Sequence, residues 1–112
     1  MYSFDKAPDV KKGLIGVYAI FVASNPTVAY IGSSKCIRTR LMYHLNKLKK
    51  GNHKNWRMKS LWSRYEDEFR WKIIKVLTTE NEARSTEQFL LDVTPKHLLL
   101  NVDFKVYNYK RK

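Results

Sequence analysis

The sequence predicts one small α/β (α+β) domain, in which an antiparallel hairpin and a further strand share a core with three helices. Three observations carry this. Residues 14–23 are continuously apolar or small and rich in β-branched and aromatic types, as in a strand buried on both faces. Phe69, Trp71 and Ile73 alternate with Arg70 and Lys72, the period of two that marks another strand. Apolar residues also recur at helical spacing in three places: Ile37, Leu41, Leu45 and Leu48; Met58, Leu61, Trp62 and Tyr65; and Ala83, Leu90 and Leu91,. A chain of 112 residues has room for one such core,.

Taken in order, residues 1–13 are polar, carry Pro8 and Gly13, and read as an N-terminal lead-in. Ser24-Asn25-Pro26-Thr27 has turn chemistry, so the strand over 14–23 folds back onto a second over 28–32 and brings Tyr18 and Tyr30 into one neighbourhood,. Ser34 is the expected N-cap of a helix over 35–50 that Gly51 ends,. A second helix over 54–65 turns Lys54, Arg57, Lys59 and Arg64 outward,. After the alternating strand, Thr79-x-x-Glu82 is a capping box opening a third helix, which stops near Val93 ahead of Pro95,. Leu98-Leu99-Leu100-Asn101-Val102 is a short apolar segment with an amide embedded in it, and 104–112 is a basic tail, leaving 14–103 as the domain proper.

The 44% hydrophobic and 13% aromatic content is enough to bury a core and excludes a disordered basic tail,. Twenty-two Lys and Arg against ten Asp and Glu give a formal charge of +12, so the expected partner is a polyanion,. Most of the excess lies between residues 35 and 75, with 13 basic and three acidic residues. Trp56, Trp62, Tyr65 and Trp71 are interleaved with these charges, which favours nucleic acid over a face that serves only solubility,. Cys36 is the one cysteine, which excludes an intrachain disulfide and a cysteine-based zinc site and fits a reducing compartment,. The longest apolar run, 17–23, is too short to cross a bilayer, and the start lacks the pattern of a secretory leader,. A soluble, cytoplasmic protein without a membrane partner is expected.

Glu87 falls in the apolar stripe of the third helix, four residues after Ala83. An unpaired buried carboxylate costs several kcal/mol or shifts its pKa. Either it snorkels to solvent or pairs with Arg40 or Arg84, or it holds a divalent cation through one carboxylate, with water completing the shell. Arg40 and His44 stand about 40° apart on one shoulder of the first helix with Lys47 beside them, a permanent cation and a titratable imidazole aimed at one place. Tyr18 and Tyr30 have a packing explanation, but Gly16 and Gly32 beside them mark a bulge or the close approach of another backbone, a phosphate or DNA. His53 and Asn101 are weaker candidates, and His97 reads as surface.

Gly16-Val17-Tyr18, Tyr30-Ile31-Gly32, Arg40, His44, His53, Glu87 and Asn101 resemble, in order and approximate spacing, the GIY-YIG nuclease domain, especially the catalytic domains of phage-type homing endonucleases. The likeness covers about 14–103, and Val17 is a mild departure that the family tolerates. It implies a small three-stranded antiparallel sheet flanked by helices and divalent-metal-dependent hydrolysis of DNA phosphodiesters. Glu87 matches the metal-binding glutamate, for Mg²⁺ or Mn²⁺, and Arg40 the arginine that stabilises the transition state. Tyr18 and Tyr30 match the paired tyrosines, one of which helps activate water while His44 shares in managing the proton. On this reading Asn101 braces the site or contacts substrate, and Lys35, Arg38, Lys47, His53, Lys54 and Arg57 follow the DNA backbone.

Homing-type enzymes usually append a linker and a DNA-binding domain that this chain does not carry. The expectation is therefore a catalytic fragment, with its DNA-binding part missing or supplied by a partner, or a small nuclease acting as monomer or homodimer. Nicking and double-strand cutting stay open. Mobile-element, restriction and repair roles are all compatible, in a bacterial or phage-infected host cell. A nucleic-acid-binding module that cuts nothing is the rival reading; it would keep the charge but leave Glu87 in its stripe unexplained.

Overall fold

The computed structural model describes residues 2–3, 10–104 and 106. Most of the lead-in over 1–13 and most of the tail over 104–112 lie outside the described residues. The elements are β1 (Tyr2–Ser3), β2 (Ile15–Val22), β3 (Asn25–Ser34), α1 (Ile37–Lys50), α2 (Trp56–Tyr65), β4 (Phe69–Leu77) and α3 (Glu80–Val93), with short 3₁₀ turns at Glu66–Glu68 and Lys96–Leu98. β2, β3 and β4 make the expected three-stranded antiparallel sheet with β2 in the centre, and β1 adds a two-residue pairing to the outer edge of β4.

Strand alternation divides the core between the two faces of this sheet. Tyr18, Ile20 and Val22 of β2 pack with Ile37, Leu41 and Leu48 of α1, Met58 of α2, and Phe69 and Trp71 of β4. Val17 and Ile31 point the other way, to Leu91 of α3 and to Leu99. Burying each large aliphatic side chain contributes about 1.5–3 kcal/mol, so either face left open would be costly.

The hairpin differs from expectation at its tip. Val22 pairs with Asn25 across a two-residue turn, and the register then slips so that Phe21 pairs with Ala29. Residues 26–28 therefore form an irregularity within β3 instead of a turn, consistent with Pro26 having no N–H to give a ladder. A second slip, between β2 and β4, pairs Val17 with Lys75 but Tyr18 with Ile73 and leaves Ile74 as the extra residue of a bulge,.

Ser34 is not the N-cap of α1. It is the last residue of β3, and its Oγ accepts from Cys36 N–H and donates to the Cys36 carbonyl, so it organises the entry while Cys36 holds the cap position. Gly51 ends the helix as expected, in the left-handed region at φ 73°, with its N–H on Leu48 O and that of Asn52 on Lys47 O,. α2 begins two residues later than its charge pattern implied, because the Asn55 side chain accepts from Arg57 N–H and Met58 N–H,. At α3 Thr79 caps Glu82 N–H, as expected, and the Glu82 carboxylate reaches back to the hydroxyls of Thr78 and Thr79,.

Candidate active site

The core stripe of α1 runs through Ile37, Leu41, His44 and Leu48, and Leu45 stands at its margin. His44 is thus 1% exposed, whereas Arg40, one turn before it, is on the surface. Instead of sharing a shoulder, the two residues serve the inside and the mouth of one site.

Tyr18 and Gly32 are direct cross-strand partners, as are Ile20 and Tyr30. This places both tyrosines on the α1 side of the sheet, with ring centroids 6.4 Å apart. His44 meets both edge-on and completes a triangle of rings, 5.8 Å from Tyr18 and 5.0 Å from Tyr30 by centroid. His44 Nε2 is 2.8 Å from the Tyr18 phenol oxygen, and its Nδ1 is 2.8 Å from Nε2 of His53. His53 thereby joins the tyrosine network and is not a free element of a basic surface.

The two motif glycines make room for protein atoms. A β-carbon on Gly32 would sit 2.5 Å from the Tyr18 oxygen, and one on Gly16 would meet the Lys75 carbonyl at the β2–β4 bulge. Neither opening leaves space for a phosphate, so the close approach expected at both glycines is that of a neighbouring strand or its side chain.

Glu87 reaches the site from α3. Its carboxylate accepts a hydrogen bond from the hydroxyl of Ser33, which lies on the opposite face of β3 from Tyr30 and Gly32,. Burial lifts the Glu87 carboxyl to about 7, against the pull of Ser33, Arg40 and Arg84. Neither arginine forms an ion pair with it; Arg84 is 3.1 Å from Glu80.

Burial raises Tyr18 well above the ordinary phenol value and Tyr30 to about 12, with Tyr30 and Glu87 adding to the rise at Tyr18 and Glu87 adding at Tyr30. Burial holds both histidines below their ordinary value. Arg40 acts on every one of these groups, lowering Tyr18, Tyr30, Glu87, His44 and His53. Its guanidinium carbon lies 4.3 Å from the ring centroid of Tyr43, and Lys47 Nζ is 5.7 Å from the same ring. Such stacking holds a flexible cation in place.

Among the described residues no group of three or more His, Cys, Asp or Glu side chains could enclose a metal ion. The donor set that is present, a carboxylate and an adjoining hydroxyl, suits a hard divalent cation that keeps most of its shell as water. A carboxyl lifted to about 7 by burial also gains from a nearby cation,. The residues therefore fit a divalent cation held through one carboxylate.

Asn101 is 4% exposed, and both ends of its amide are committed to the β3 backbone: Oδ1 accepts from Ile31 N–H at 2.9 Å and Nδ2 donates to Ile31 O at 2.8 Å. Bracing is what this amide does. Arg57 is likewise engaged, donating to Leu99 O at 3.0 Å. Lys35 and Lys54 are exposed, and Arg38 and Lys47 partly so. Of the interleaved aromatics, Trp56 at 64% and Tyr65 at 38% exposure face solvent, whereas Trp71 belongs to the core and half-buried Trp62 packs against it.

Four contributors escape the sequence reading. Ser33 follows Gly32 directly, and its position two residues after Ile31 puts it on the α3 face. Tyr43 is three residues from Arg40 and four from Lys47, a spacing that allowed for the stack. Asn55 precedes an apolar helix start and has cap chemistry. Gln88, buried on α3, accepts from Val106 N–H and donates to Phe104 O; nothing local marks it.

Residues 14–98 match the family described as the GIY-YIG catalytic domain. The structure is similar to that of the catalytic domain of intron endonuclease I-TevI in a glutamate-to-alanine mutant, with 19% identity and a TM-score of 0.72 over 87% of this chain and 99% of that one. A structure of the catalytic domain of homing endonuclease I-TevI agrees, with 20% identity and a TM-score of 0.68 over 80% and 98%. No curated protein sequence matches the chain. The class is that of an endonuclease catalytic domain. The chain belongs to the GIY-YIG family.

Proposed function

We propose that this domain hydrolyses DNA phosphodiester bonds with the aid of a divalent cation, Mg²⁺ or Mn²⁺, as a homing-type or other mobile-element nuclease. One observation carries the reading: the exposed guanidinium of Arg40 stands at the mouth of a site where buried Tyr18 and half-buried Tyr30 meet around His44, and the half-buried carboxylate of Glu87 comes in from α3. A binding module would have no use for that convergence.

Water attacks the scissile phosphorus in line with the departing oxygen. A buried phenol with a raised pKa is a poor base, so a tyrosine takes up the water proton only where neighbouring donors favour its phenolate. Arg40 is such a donor at Tyr18, and the ring of His44 shares a hydrogen bond with the same oxygen. Arg40 at the mouth also meets the negative charge that grows on the phosphate oxygens. Glu87, supported by Ser33, would hold the cation, which supplies charge neutralisation at the phosphate and the leaving oxygen. Lys35, Arg38, Lys47 and Lys54 attract the DNA backbone without choosing a sequence.

The test is incubation of supercoiled plasmid with the protein and Mg²⁺, with and without chelator, beside Glu87→Ala and Tyr18→Phe. The wild type cuts only without chelator, and both variants lose cutting. Equal cutting by Glu87→Ala would remove this mechanism. Salt-sensitive gel shifts without cutting by any of them would establish the binding module instead. The ratio of open-circular to linear product separates nicking by one copy from cleavage of both strands.

A further inference from the structure

We infer that His53 is a positioning residue that decides which nitrogen of His44 carries the proton, so that His44 gives, and does not take, the hydrogen bond it shares with Tyr18. The inference deepens the proposed nuclease site and rests on that reading for its catalytic consequence.

The direction originates in the backbone. The Asn55 N–H can only donate, and it does so to His53 Nδ1 at 3.0 Å,. That nitrogen therefore holds a lone pair, and neutral His53 carries its proton on Nε2. His53 Nε2 lies 2.8 Å from His44 Nδ1, which must accept. The proton of His44 is then on Nε2, 2.8 Å from the Tyr18 oxygen. Each contact leaves one choice to the next.

The parts are held for this purpose. The two imidazole planes are only 19° apart with centroids at 5.0 Å, the near-coplanar, edge-to-edge placement that the 2.8 Å nitrogen–nitrogen bond needs. Asn55 is anchored by its own cap bonds to Arg57 N–H and Met58 N–H and by its amide donating to Leu100 O. A second proton on either ring would set two N–H groups face to face, and burial together with the Arg40 charge opposes such protonation.

The Tyr18 oxygen thus receives a hydrogen bond, and its own proton points away from His44. A donor on a phenol oxygen favours the phenolate. His44 has no free lone pair with which to remove that proton, so its part in the reaction is to stabilise the charged tyrosine.

Long-range ¹H–¹⁵N spectra of His44, taken on metal-free protein without DNA, test this directly. The wild type shows a single Nε2–H tautomer. His53→Ala, with no donor on Nδ1, shows both tautomers, and His53→Gln, whose amide can donate to Nδ1, restores the Nε2–H form. An Nδ1–H tautomer in the wild type, or an unchanged spectrum in His53→Ala, overturns the inference. Should His53→Ala fail to fold, wild type and His53→Gln decide it, since Nδ1–H in either overturns it. On plasmid DNA, kcat of His53→Ala falls about 10–100-fold with KM little changed, and His53→Gln recovers most of it. A confirmed tautomer in a protein that cuts no DNA would sink the nuclease reading and leave the relay standing.

Discussion

The ring of Tyr18 occupies the space that a side chain on Gly32 would need, with a β-carbon there falling 2.5 Å from the phenol oxygen. The glycine of one motif exists for the tyrosine of the other. Tyr18 is almost wholly buried and tied to His44, so it has nowhere to retreat.

Gly32→Ala is therefore expected to destabilise the domain by about 1–3 kcal/mol, the usual cost of overpacking, and to abolish cutting by displacing Tyr18. Urea unfolding and plasmid relaxation measure the two effects. An alanine variant with wild-type values in both would contradict this packing.

Glu87→Gln keeps an acceptor for the Ser33 hydroxyl while removing the charge. Because burial disfavours that charge, chelator-treated Glu87→Gln should be at least as stable as wild type, yet cut about 100-fold more slowly or worse. A large loss of thermal stability would show that the carboxylate serves the fold and not the reaction.

Acid stability separates two opposing terms. The folded histidines lie below the ordinary value of 6.5, so as pH falls through 6.5 the unfolded chain takes up protons that the folded one refuses, and stability is lost. Glu87 acts in the other direction: folded at about 7 against an ordinary 4.5, it binds its proton first in the folded state and stabilises as pH falls. In the Glu87→Gln background, metal-free, the melting temperature should drop steadily from pH 7 to pH 5, with a shallower decline in wild type. A flat profile in that background would mean that the histidines are not buried as neutral rings.

Asn101→Ala should act on stability. It leaves the N–H and C=O of Ile31 without their partners, at about 1–3 kcal/mol for each buried group. Denaturant midpoints should fall while KM for DNA stays near wild type; a raised KM at unchanged stability would return Asn101 to the substrate.

Lys35→Ala with Lys54→Ala should weaken DNA binding at every sequence and reduce the slope of log affinity against log salt by about 2, with no change in melting temperature. Arg57→Ala provides the contrast, since its guanidinium holds the Leu99 carbonyl and its loss should lower stability. Gel shifts over a salt series, beside thermal melts, distinguish the two kinds of cation.

Much of the fold was legible because its signals are local. The run over 14–23, the alternation at Phe69–Ile73, Gly51 after an apolar helix and Thr79 before another each act within a few residues, and all four led to elements that are present. Errors arose where two local signals competed. Ser34 had cap chemistry but belongs to a strand that continues through it, and Leu45 lost its place in the core to His44, which fits the same helical spacing.

The site was legible as a set of residues and much less as an arrangement. The chain by itself determined the family, the hairpin that pairs the tyrosines, the cationic character and the carboxylate on the third helix, since these follow from residue type and short-range period. Only the tertiary structure decided that His53 backs His44, that Ser33 holds Glu87, that Asn101 and Arg57 brace the backbone, and that both glycines clear space for protein atoms. The bonds that set those roles join residues 9, 42, 54 and 70 positions apart. Such partners are chosen by the register of strands and the burial of a shared core, which no local pattern encodes.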